Sequence, residues 1–268
     1  LPADELAIAA AALSAPAPLH LRVNTLRADR GAVLARLATD HPGAAFAAAP
    51  ADPDGISATG LGDPERSPSF ADGWWTVQDL GAQRVAHLLR PQPGQRLLDA
   101  CAGVGGKSTH LAQLTGDRAH IDAADLSARR LALGETAARR LGVTGIRFHT
   151  LDLTAALPGA GYDGILLDAP CSGLGVLRRH PEAKWRLTPG VVGDLAALQA
   201  RLLDRAVAGL APGGALVYSV CTFTDAEGPA QVAALRARHG RLAVDDELVT
   251  WPHRDGADGF YAARLVVL

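Results

Sequence analysis

The sequence has no methionine at all, and aromatic residues make up only 4% of its 268 positions. It also has no uncharged apolar run of about 18 residues, which excludes a membrane-spanning helix. The alanine-rich start follows Asp4 and Glu5 instead of a basic segment, which argues against a signal peptide. The chain begins at Leu1 and not at Met, and we therefore expect it to be a piece of a longer protein.

Lysine and cysteine are scarce as well. Only two of the 26 basic residues are lysines, Lys107 and Lys184, and the only cysteines are Cys101, Cys171 and Cys221. The cysteines are odd in number and widely spaced, with no Cys-x-x-Cys pair, which argues against a disulfide framework and against a zinc site. We therefore predict no metal and a reducing, cytoplasmic compartment.

The overall composition is that of a folded globular chain. Hydrophobic residues make up 48% and charged residues 20%, whereas disordered chains have fewer apolar residues and more net charge. The net charge of −2 gives no overall electrostatic signature of a nucleic-acid-binding protein. Any nucleic-acid binding therefore has to depend on a local cluster of basic residues.

Residues 1–72 differ from the rest of the chain. Apolar spacing predicts a strand at 19–25 and a helix at 29–37. The stretch 41–72 is rich in Pro, Gly and Asp, which indicates turns. The region holds five Arg and Lys against nine Asp and Glu. We predict a small α+β module here.

From residue 73 to 268, apolar runs typical of strands alternate with helical patterns. The predicted strands are 96–100, 120–125, 146–150, 164–168 and 215–220. The predicted helices are 79–89, 107–114, 128–141, 191–210 and 225–238. A closing antiparallel strand is predicted at 259–268. This alternation predicts an α/β fold with a Rossmann-like, doubly wound parallel sheet.

All three cysteines follow predicted strands, and Asp125 and Asp168 end two of them. Ligands of such sheets bind at the carboxyl ends of the strands. We therefore expect these side chains to share one edge of the sheet and to form a site there. The alternative is that the three cysteines are inert members of the core.

A glycine-rich turn, Asp99-Ala-Cys-Ala-Gly-Val-Gly-Gly-Lys-Ser108, joins a predicted strand to a helix. A phosphate-binding P-loop would need glycine at position 101, which is cysteine. A dinucleotide fingerprint would need a third glycine at position 108, which is serine. S-Adenosylmethionine carries no phosphate and needs a glycine turn only for its methionine end, so it fits this turn better.

Two further aspartates follow the second and third predicted strands. Asp125 can accept hydrogen bonds from two ribose hydroxyls, and Asp152 is a candidate for the adenine edge. The plainer alternative for Asp125 is a helix N-cap, a role for which Ser127 is equally suited.

Two more strands lead into cysteine, as Asp168-Ala-Pro-Cys171 and as Val220-Cys221. A thiolate is a strong nucleophile. Its addition to C6 of cytosine makes C5 able to take a methyl group from a sulfonium, and Asp168 is a candidate for offsetting the charge that develops near N3. A base must then remove the C5 proton so that the thiolate can leave. The pattern favours methylation of cytosine at C5.

The basic segment Arg178-Arg-His-Pro-Glu-Ala-Lys-Trp-Arg186 follows soon after Cys171. Phosphate contacts combined with base stacking are typical of RNA recognition, and the alternative is a solvated loop. The predicted RNA-binding residues are Arg178, Arg179, His180, Lys184 and Trp185.

Three segments resemble the RNA 5-methylcytosine methyltransferases of the Sun/RsmB type. They are the glycine-rich turn 99–108, the strand end Val217-Tyr-Ser-Val-Cys221 and the long run Leu167-Asp-Ala-Pro-Cys-Ser-Gly-Leu-Gly-Val-Leu-Arg-Arg-His-Pro-Glu-Ala-Lys-Trp185. Residues 21–25, 72–79 and 258–260 also resemble segments of this family. The resemblance covers nearly the whole chain.

The resemblance implies that Cys221 attacks C6 and that Cys171 assists release of the methylated base, with Asp168 and Lys107 in the same catalytic set. It implies an S-adenosylmethionine site made of Cys101, Ala102, Gly103, Val104, Gly105, Gly106, Lys107, Asp125, Arg130, Asp152 and Asp168.

The same resemblance implies a domain organisation and a substrate. Residues 1–72 would be a small RNA-binding module and residues 73–268 the methyltransferase domain, of the class I methyltransferase fold. A helical NusB-like domain, which precedes that module in the bacterial ribosomal RNA members, is absent from this sequence. We expect a cytoplasmic monomer that acts on RNA, specifically 16S ribosomal RNA, and has no membrane partner.

Two departures from the family pattern keep alternatives open. Val104 stands where the family usually has proline, and Val220 stands where it usually has threonine before the cysteine. They support a second hypothesis, a catalytically weakened RNA-binding or ribosome-assembly factor on the same fold. An NAD-dependent dehydrogenase is a third and weaker one, because the third glycine is missing and the cysteine pair is left unexplained.

Overall fold

The computed structural model describes all 268 residues, and its N-terminal part is built on a four-stranded antiparallel sheet of order β2-β3-β1-β4. Its elements are α1 (Ala3–Ser14), β1 (Leu19–Val23), α2 (Arg30–Asp40), β2 (Ala45–Ala48), β3 (Gly55–Thr59), α3 (Pro68–Ala71) and β4 (Trp75–Val77). Asp29 caps α2, since its side chain accepts a hydrogen bond from the Ala32 backbone N–H. Trp75 is fully buried in the core of this sheet and donates its indole N–H to Ser69 Oγ, 2.9 Å away.

The predicted strand and helix of this region correspond to β1 and α2, and the turn-rich stretch contains a hairpin that the sequence did not predict. The hairpin strands β2 and β3 are short and rich in alanine, so apolar alternation is weak there. The fourth strand, β4, lies beyond the boundary predicted at residue 72. The small sheet therefore extends to Val77.

The second sheet has seven strands in the order β10-β11-β9-β8-β5-β6-β7. Its elements are α4 (Leu80–Leu88), β5 (Arg96–Ala100), α5 (Gly106–Leu114), β6 (His120–Asp125), α6 (Ala128–Leu141), β7 (Ile146–Thr150), β8 (Tyr162–Asp168), α7 (Pro189–Gly209), β9 (Leu210–Val220), α8 (Pro229–Arg238), β10 (Leu242–Thr250), α9 (Pro252–Asp255) and β11 (Phe260–Val267). Strands β5 to β9 run parallel, whereas β11 is antiparallel to both β9 and β10. The predicted doubly wound sheet and its closing antiparallel strand are confirmed, and β10 is an addition.

Helices cover both faces of this sheet. On one face α7 and α8 bury apolar residues such as Leu203 and Leu235 against the strands. On the other face α4, α5 and α6 bury residues such as Val85, Leu111 and Leu141. Each such side chain contributes about 1.5–3 kcal/mol when it leaves water. None of the helices is both long and apolar enough to cross a membrane.

The N-terminal sheet is joined to the larger one through a buried arginine. Arg22 of β1 donates from Nη1 to the backbone oxygen of Gly106, 2.7 Å away, and from Nη2 to Thr109 Oγ1, 3.0 Å away. Burial lowers the pKa of Arg22 to about 9, so it stays charged at neutral pH. Its partners lie in the first turn of α5, directly after the glycine-rich turn. The small module is thus hydrogen-bonded to the segment that shapes the candidate site.

Candidate active site

A cavity of about 590 Å³ lies at the carboxyl ends of β5, β6, β8 and β9. Its position is the one that a parallel doubly wound sheet provides for ligands. Most of the residues predicted from the sequence line it. They are Cys101, Ala102, Gly103, Val104, Gly106, Lys107, Asp125, Arg130, Asp168, Cys171 and Cys221.

The glycine-rich turn forms one wall of the cavity. Gly103 and Gly105 have φ angles of 57° and 73°, in the left-handed region that favours glycine. At Gly105 a Cβ atom would lie 3.1 Å from the Cα of Gly134, because the turn packs closely on α6. Gly105 is also the N-cap of α5, so it shapes the turn without lining the cavity.

Asp125 holds this turn from the end of β6. Its Oδ2 accepts a hydrogen bond from the Gly103 backbone N–H at 2.9 Å, and Arg130 Nη2 lies 3.4 Å from its Oδ1. The N-cap of α6 is Ser127, whose hydroxyl accepts from the Arg130 N–H. The alternative role of Asp125 as the helix cap is therefore wrong. Its carboxylate faces the cavity, as a residue for cofactor hydroxyls must.

Cys101 lies in the same turn and is a neutral thiol. Burial, followed by the charges of Asp125 and Asp168, raises its pKa to about 12. A thiol with so high a pKa is a poor nucleophile at neutral pH. Cys101 is therefore a poor candidate for a nucleophile and lines the cavity as part of its wall.

Asp99 is a residue of the site that the sequence analysis did not single out. It is fully buried at the end of β5 and lines the cavity. Its Oδ2 accepts the Ser108 hydroxyl at 2.5 Å, whereas its Oδ1 has no hydrogen-bond partner. Burial raises its pKa to about 7. An unpartnered buried oxygen beside a cavity fits a ligand that brings a donor, such as an ammonium group. Its place before the glycine-rich turn was the only signal for it in the sequence.

Asp152, in contrast, does not line the cavity. It is exposed, and its Oδ1 accepts hydrogen bonds from the backbone N–H and the hydroxyl of Thr154 at 2.9 and 2.7 Å. It stabilises the turn after β7. The position predicted for an adenine contact is thus corrected by the structure.

Lys107 and Asp168 form an ion pair inside the cavity. Lys107 Nζ lies 2.5 Å from Asp168 Oδ2, and Ser219 donates its hydroxyl to Asp168 Oδ1 at 2.6 Å. Burial opposes the charge on Lys107, but the attraction of Asp168 outweighs it and raises the pKa of Lys107. The pair is fixed in place, so it presents a charged group that needs no rearrangement during a reaction.

Cys171 and Cys221 bring their sulfur atoms to 3.4 Å from each other. They follow the parallel neighbours β8 and β9, in which Asp168 is paired with Ser219, so both cysteines emerge at the same edge. The hydrogen bond with Cys221, and then burial, raise the pKa of Cys171 well above its ordinary value. Cys171 is therefore a neutral thiol at neutral pH.

The basic segment divides into two parts, and the first part corrects a prediction. Arg178 donates from Nε to Asp258 Oδ1 at 2.8 Å, and its side chain is only 4% exposed. Arg179 donates to Asp258 Oδ2 at 2.5 Å and to Asp79 Oδ2 at 3.0 Å. Both guanidinium groups are held by carboxylates of the protein itself. They anchor the segment and are not free to contact RNA phosphates.

The second part of the segment projects into solvent. Trp185 is 82% exposed, and Lys184 Nζ lies 5.1 Å from the centre of its ring. His180 is exposed too, in front of a short 3₁₀ turn at Pro181–Trp185. A groove of about 460 Å³ lies beside Lys184, between this turn and the end of α1. Together, the exposed ring and the neighbouring ammonium offer a face for base stacking and a cation.

Known proteins match both the sequence and the fold. A family model described as 16S rRNA methyltransferase RsmB/F matches residues 86–266. The "Probable ribosomal RNA small subunit methyltransferase B" of Synechocystis sp. is 38% identical over 269 residues, which cover 92% of this chain and 59% of that protein. The "Ribosomal RNA small subunit methyltransferase B" of Pseudomonas putida is 37% identical over 276 residues, covering 96% and 61%. The chain spans about three fifths of the length of these relatives.

Solved structures agree with this assignment. The structure of PH0851 has a TM-score of 0.94 at 27% identity, covering 99% of this chain and 63% of that one. A methyltransferase homolog protein from Pyrococcus horikoshii has a TM-score of 0.88 at 26% identity, covering 100% and 92%. NSun6 from Pyrococcus horikoshii with SFG shares the fold, with a TM-score of 0.89 at 22% identity. By its sequence, its sheet and its matched region, this chain belongs to the RsmB/F family of 16S rRNA methyltransferases, as the Sun/RsmB resemblance predicted.

Proposed function

We propose that this chain transfers a methyl group from S-adenosylmethionine to C5 of a cytosine in 16S ribosomal RNA. The observation that carries the proposal is the pair of sulfur atoms, Cys171 and Cys221, 3.4 Å apart in a cavity that also holds the Lys107–Asp168 ion pair. Cytosine C5 needs covalent activation at C6, and a thiol pair beside a fixed charge provides a nucleophile and a second group for proton transfer.

We assign the cofactor to the part of the cavity lined by the glycine-rich turn, Asp99 and Asp125. Bound there, S-adenosylmethionine supplies an electrophilic methyl group on a sulfonium. The unpartnered Oδ1 of Asp99 would accept a hydrogen bond from its ammonium group. Asp125, backed by Arg130, would accept the ribose hydroxyls, and the turn around Gly103 would leave room for the methionine end.

Cys221 is assigned as the nucleophile. Its sulfur lines the cavity together with Lys107, and the resemblance to the Sun/RsmB family gives this cysteine the attack on C6. The Cys221 thiol loses its proton to solvent, and its sulfur forms a bond to C6. The electrons of the C5–C6 double bond then form the bond between C5 and the methyl carbon, whose bond to the sulfonium sulfur breaks with its electron pair left on that sulfur. The Lys107 ammonium, held by Asp168, would offset the negative charge that develops on the base.

Cys171 is assigned to the release step. Its pKa is raised first of all by its hydrogen bond with Cys221. Once the Cys221 sulfur is bonded to C6, that cause is removed, so the pKa of Cys171 falls. Its own proton then passes to solvent, and the resulting thiolate can accept the C5 proton. The electrons of the C5–H bond then restore the C5–C6 double bond, and the Cys221 sulfur leaves as a thiolate.

The exposed part of the basic segment, residues 180–186, is assigned to RNA binding. Trp185 offers a free aromatic face for stacking a base, and Lys184 offers a cation for phosphate. The target cytosine has to be unstacked, because attack at C6 needs access to the face of the ring. We place the RNA on this side of the cavity, with residues 1–72 supporting the cofactor turn through Arg22.

Of the two departures from the family pattern, the one at Val220 leaves the cavity unchanged. Val220 is fully buried in the core and does not line the cavity, so a missing hydroxyl there removes nothing from the site. Val104 does line the cavity and is half exposed. Its effect falls on cofactor affinity and not on the cysteine pair.

The test is methyl transfer from labelled S-adenosylmethionine to unmodified 16S ribosomal RNA, with the product nucleoside identified by mass spectrometry. We expect label in 5-methylcytidine. RNA that binds without acquiring label would contradict the proposal and favour the ribosome-assembly alternative. Label in any other nucleoside would contradict the cytosine-C5 assignment.

A further inference from the structure

A fully buried carboxylate lies behind the two cysteines. Glu227 follows β9 in a short 3₁₀ turn, Asp225–Glu227, and none of its surface is exposed. It does not line the cavity. Buried glutamates are rare unless they are paired, yet the hydrogen-bond partners of this one are all neutral. The groups that donate hydrogen bonds to Glu227 should therefore explain why it is buried.

Glu227 accepts four hydrogen bonds, two on each oxygen. Oε1 accepts from the Ser172 backbone N–H at 2.7 Å and from Gln199 Nε2 at 3.2 Å. Oε2 accepts from the Ser172 hydroxyl at 2.6 Å and from the Thr224 hydroxyl at 2.8 Å. A carboxylate has about four lone-pair positions, so these four hydrogen bonds use all of its acceptor capacity.

These bonds connect the two residues that directly follow the cysteines. Ser172 comes after Cys171, Thr222 comes after Cys221, and their hydroxyl oxygens are 2.8 Å apart. Since the single hydroxyl hydrogen of Ser172 goes to Glu227, Thr222 is the donor to Ser172. The chain of hydrogen bonds thus runs from the Cys221 side through the Cys171 side to one carboxylate.

One backbone hydrogen bond also links the two loops, from the Gly175 N–H to the Cys221 oxygen at 2.9 Å. Cys171 itself lies three residues beyond the end of β8. Gln199 of α7 donates both to the Pro170 backbone oxygen, at 2.9 Å, and to Glu227. Glu227 is therefore the point at which the loop of Cys171, the loop of Cys221 and α7 meet.

We propose that Glu227 is a positioning residue that fixes the two cysteine sulfurs at their short separation by tying the residues after them to one buried carboxylate. The proposal deepens the proposed function and rests on it, since the separation matters only if both sulfurs act on one base. Without Glu227 the loop of Cys171 relaxes, and the release step slows more than binding does.

The principal variant is Glu227→Gln, which keeps the shape of the side chain and replaces one acceptor oxygen by an amide donor. We expect kcat for methyl transfer to fall by about 10²-fold, as for a reacting group displaced by about 1 Å. The KM values for RNA and for S-adenosylmethionine should change less than twofold. Glu247→Gln is the matched control, because Glu247 accepts the Tyr261 hydroxyl at 2.6 Å on the far strand β10. It should leave kcat unchanged.

A second readout does not depend on activity. Diamide oxidises two adjacent thiols to a disulfide and is itself reduced to the hydrazide. In a Cys101→Ala background, so that only Cys171 and Cys221 can react, the disulfide should form at least about tenfold more slowly when Glu227→Gln is added. If Glu227→Gln does not fold, Ser172→Ala, which keeps the carboxylate and its backbone bond, should give a smaller effect in the same direction.

The outcomes separate this proposal from the proposed function. A disulfide rate and a kcat that both stay at the wild-type values would overturn the positioning role. A wild-type chain that transfers no methyl group would overturn the proposed function, and the disulfide rate would still decide whether Glu227 sets the separation of the sulfurs. A loss confined to KM would also overturn the positioning role.

Discussion

Charged side chains are buried and paired in the cavity. In the exposed part of the basic segment, residues 180–186, they face solvent. In the cavity, Lys107 is buried and paired with Asp168 at 2.5 Å. In the segment, Lys184 and Trp185 are both exposed to solvent. Fixed and buried charge is suited to stabilising charge that develops in a reaction. Free surface charge is suited to phosphate binding and is screened by salt.

This difference predicts that mutations in the two regions change different measured quantities. Changes in the cavity should act on the rate of methyl transfer and leave RNA affinity unchanged. Changes in the exposed part of the segment should act on RNA affinity and leave the rate at saturating RNA unchanged. Arg178 and Arg179, which belong to the same segment in sequence, should act on neither and should act on stability instead.

The largest effect is expected for Cys221→Ala. Loss of the nucleophile should lower the rate of methyl transfer by about 10⁴-fold or more, because the enzyme then has no route to activate C5. RNA affinity, measured by filter binding, should stay within twofold of the wild type. A rate that falls less than tenfold would mean that Cys221 is not the nucleophile.

Arg178→Ala should lower the free energy of unfolding by about 2–3 kcal/mol, the usual worth of a hydrogen bond to a charged group. It leaves the nearly fully buried Asp258 with Arg179 as its remaining basic partner. Urea unfolding measures the change, and Lys184→Ala is the control, expected within about 0.5 kcal/mol of the wild type. If Arg178→Ala and Lys184→Ala were equally stable, Arg178 would again be a candidate for RNA contact.

Trp185→Ala should raise the Kd for RNA by about 5- to 150-fold, which corresponds to the loss of one base stacked on an aromatic ring. The unfolding free energy should not change, since the ring is 82% exposed. The rate of transfer at saturating RNA should not change either. A variant that binds RNA normally would show that the segment is a solvated loop.

Asp99→Asn should remove a pH dependence of the unfolding free energy that comes from this buried carboxyl group. Burial raises the pKa of Asp99 from 3.8 to about 7 in the folded state, so the folded chain holds one more proton than the unfolded chain between these values. The stability from this group is present below about pH 4 and is lost as pH rises through 7, with a slope of about 1.4 kcal/mol per pH unit. Unfolding measured from pH 5 to 8 should show this slope as the difference between wild type and variant. If the unfolding free energies of wild type and variant changed in parallel with pH, the raised pKa of Asp99 would be contradicted.

The smallest effect is expected for Lys184→Ala. It should lower the slope of log Kd against log salt by about 0.7–1, the share of one phosphate contact, with little change at high salt. Titrations at several salt concentrations measure it, and Arg238→Ala, on the surface of α8, serves as the surface control. Identical slopes for Lys184→Ala and wild type would exclude a phosphate contact there.

The fold was largely predictable because the central strands are buried on both faces. Strands such as Arg96–Ala100 and His120–Asp125 are short apolar runs between turn signals, and the sequence predicts them with the observed bounds. The strand β10 was not predicted, because Asp245 and Asp246 interrupt its apolar pattern. Those charges pair with Arg90, which is 155 residues away in the sequence, and only the folded chain shows that partner.

The residues of the candidate site that follow the ends of parallel strands could be predicted from the sequence. Those whose side chains pair with residues far away in the sequence could not. Cys171 and Cys221 meet because β8 and β9 are neighbours, which the alternating pattern already implies. Arg178 was assigned to RNA because nothing local reveals Asp258, 80 residues further on. Glu227 was missed for the same reason, since Ser172 and Gln199 reach it from other elements.

The most direct measurement of the central claim is covalent trapping of the paired cysteines. The Cys171→Ala variant, incubated with 16S ribosomal RNA and S-adenosylmethionine, should accumulate a protein–RNA adduct that survives denaturing electrophoresis, because attack proceeds and release does not. The adduct should map to Cys221 by mass spectrometry and should vanish in Cys171→Ala/Cys221→Ala. An adduct that forms in Cys221→Ala instead would reverse the two roles, and no adduct in any variant would contradict the covalent mechanism.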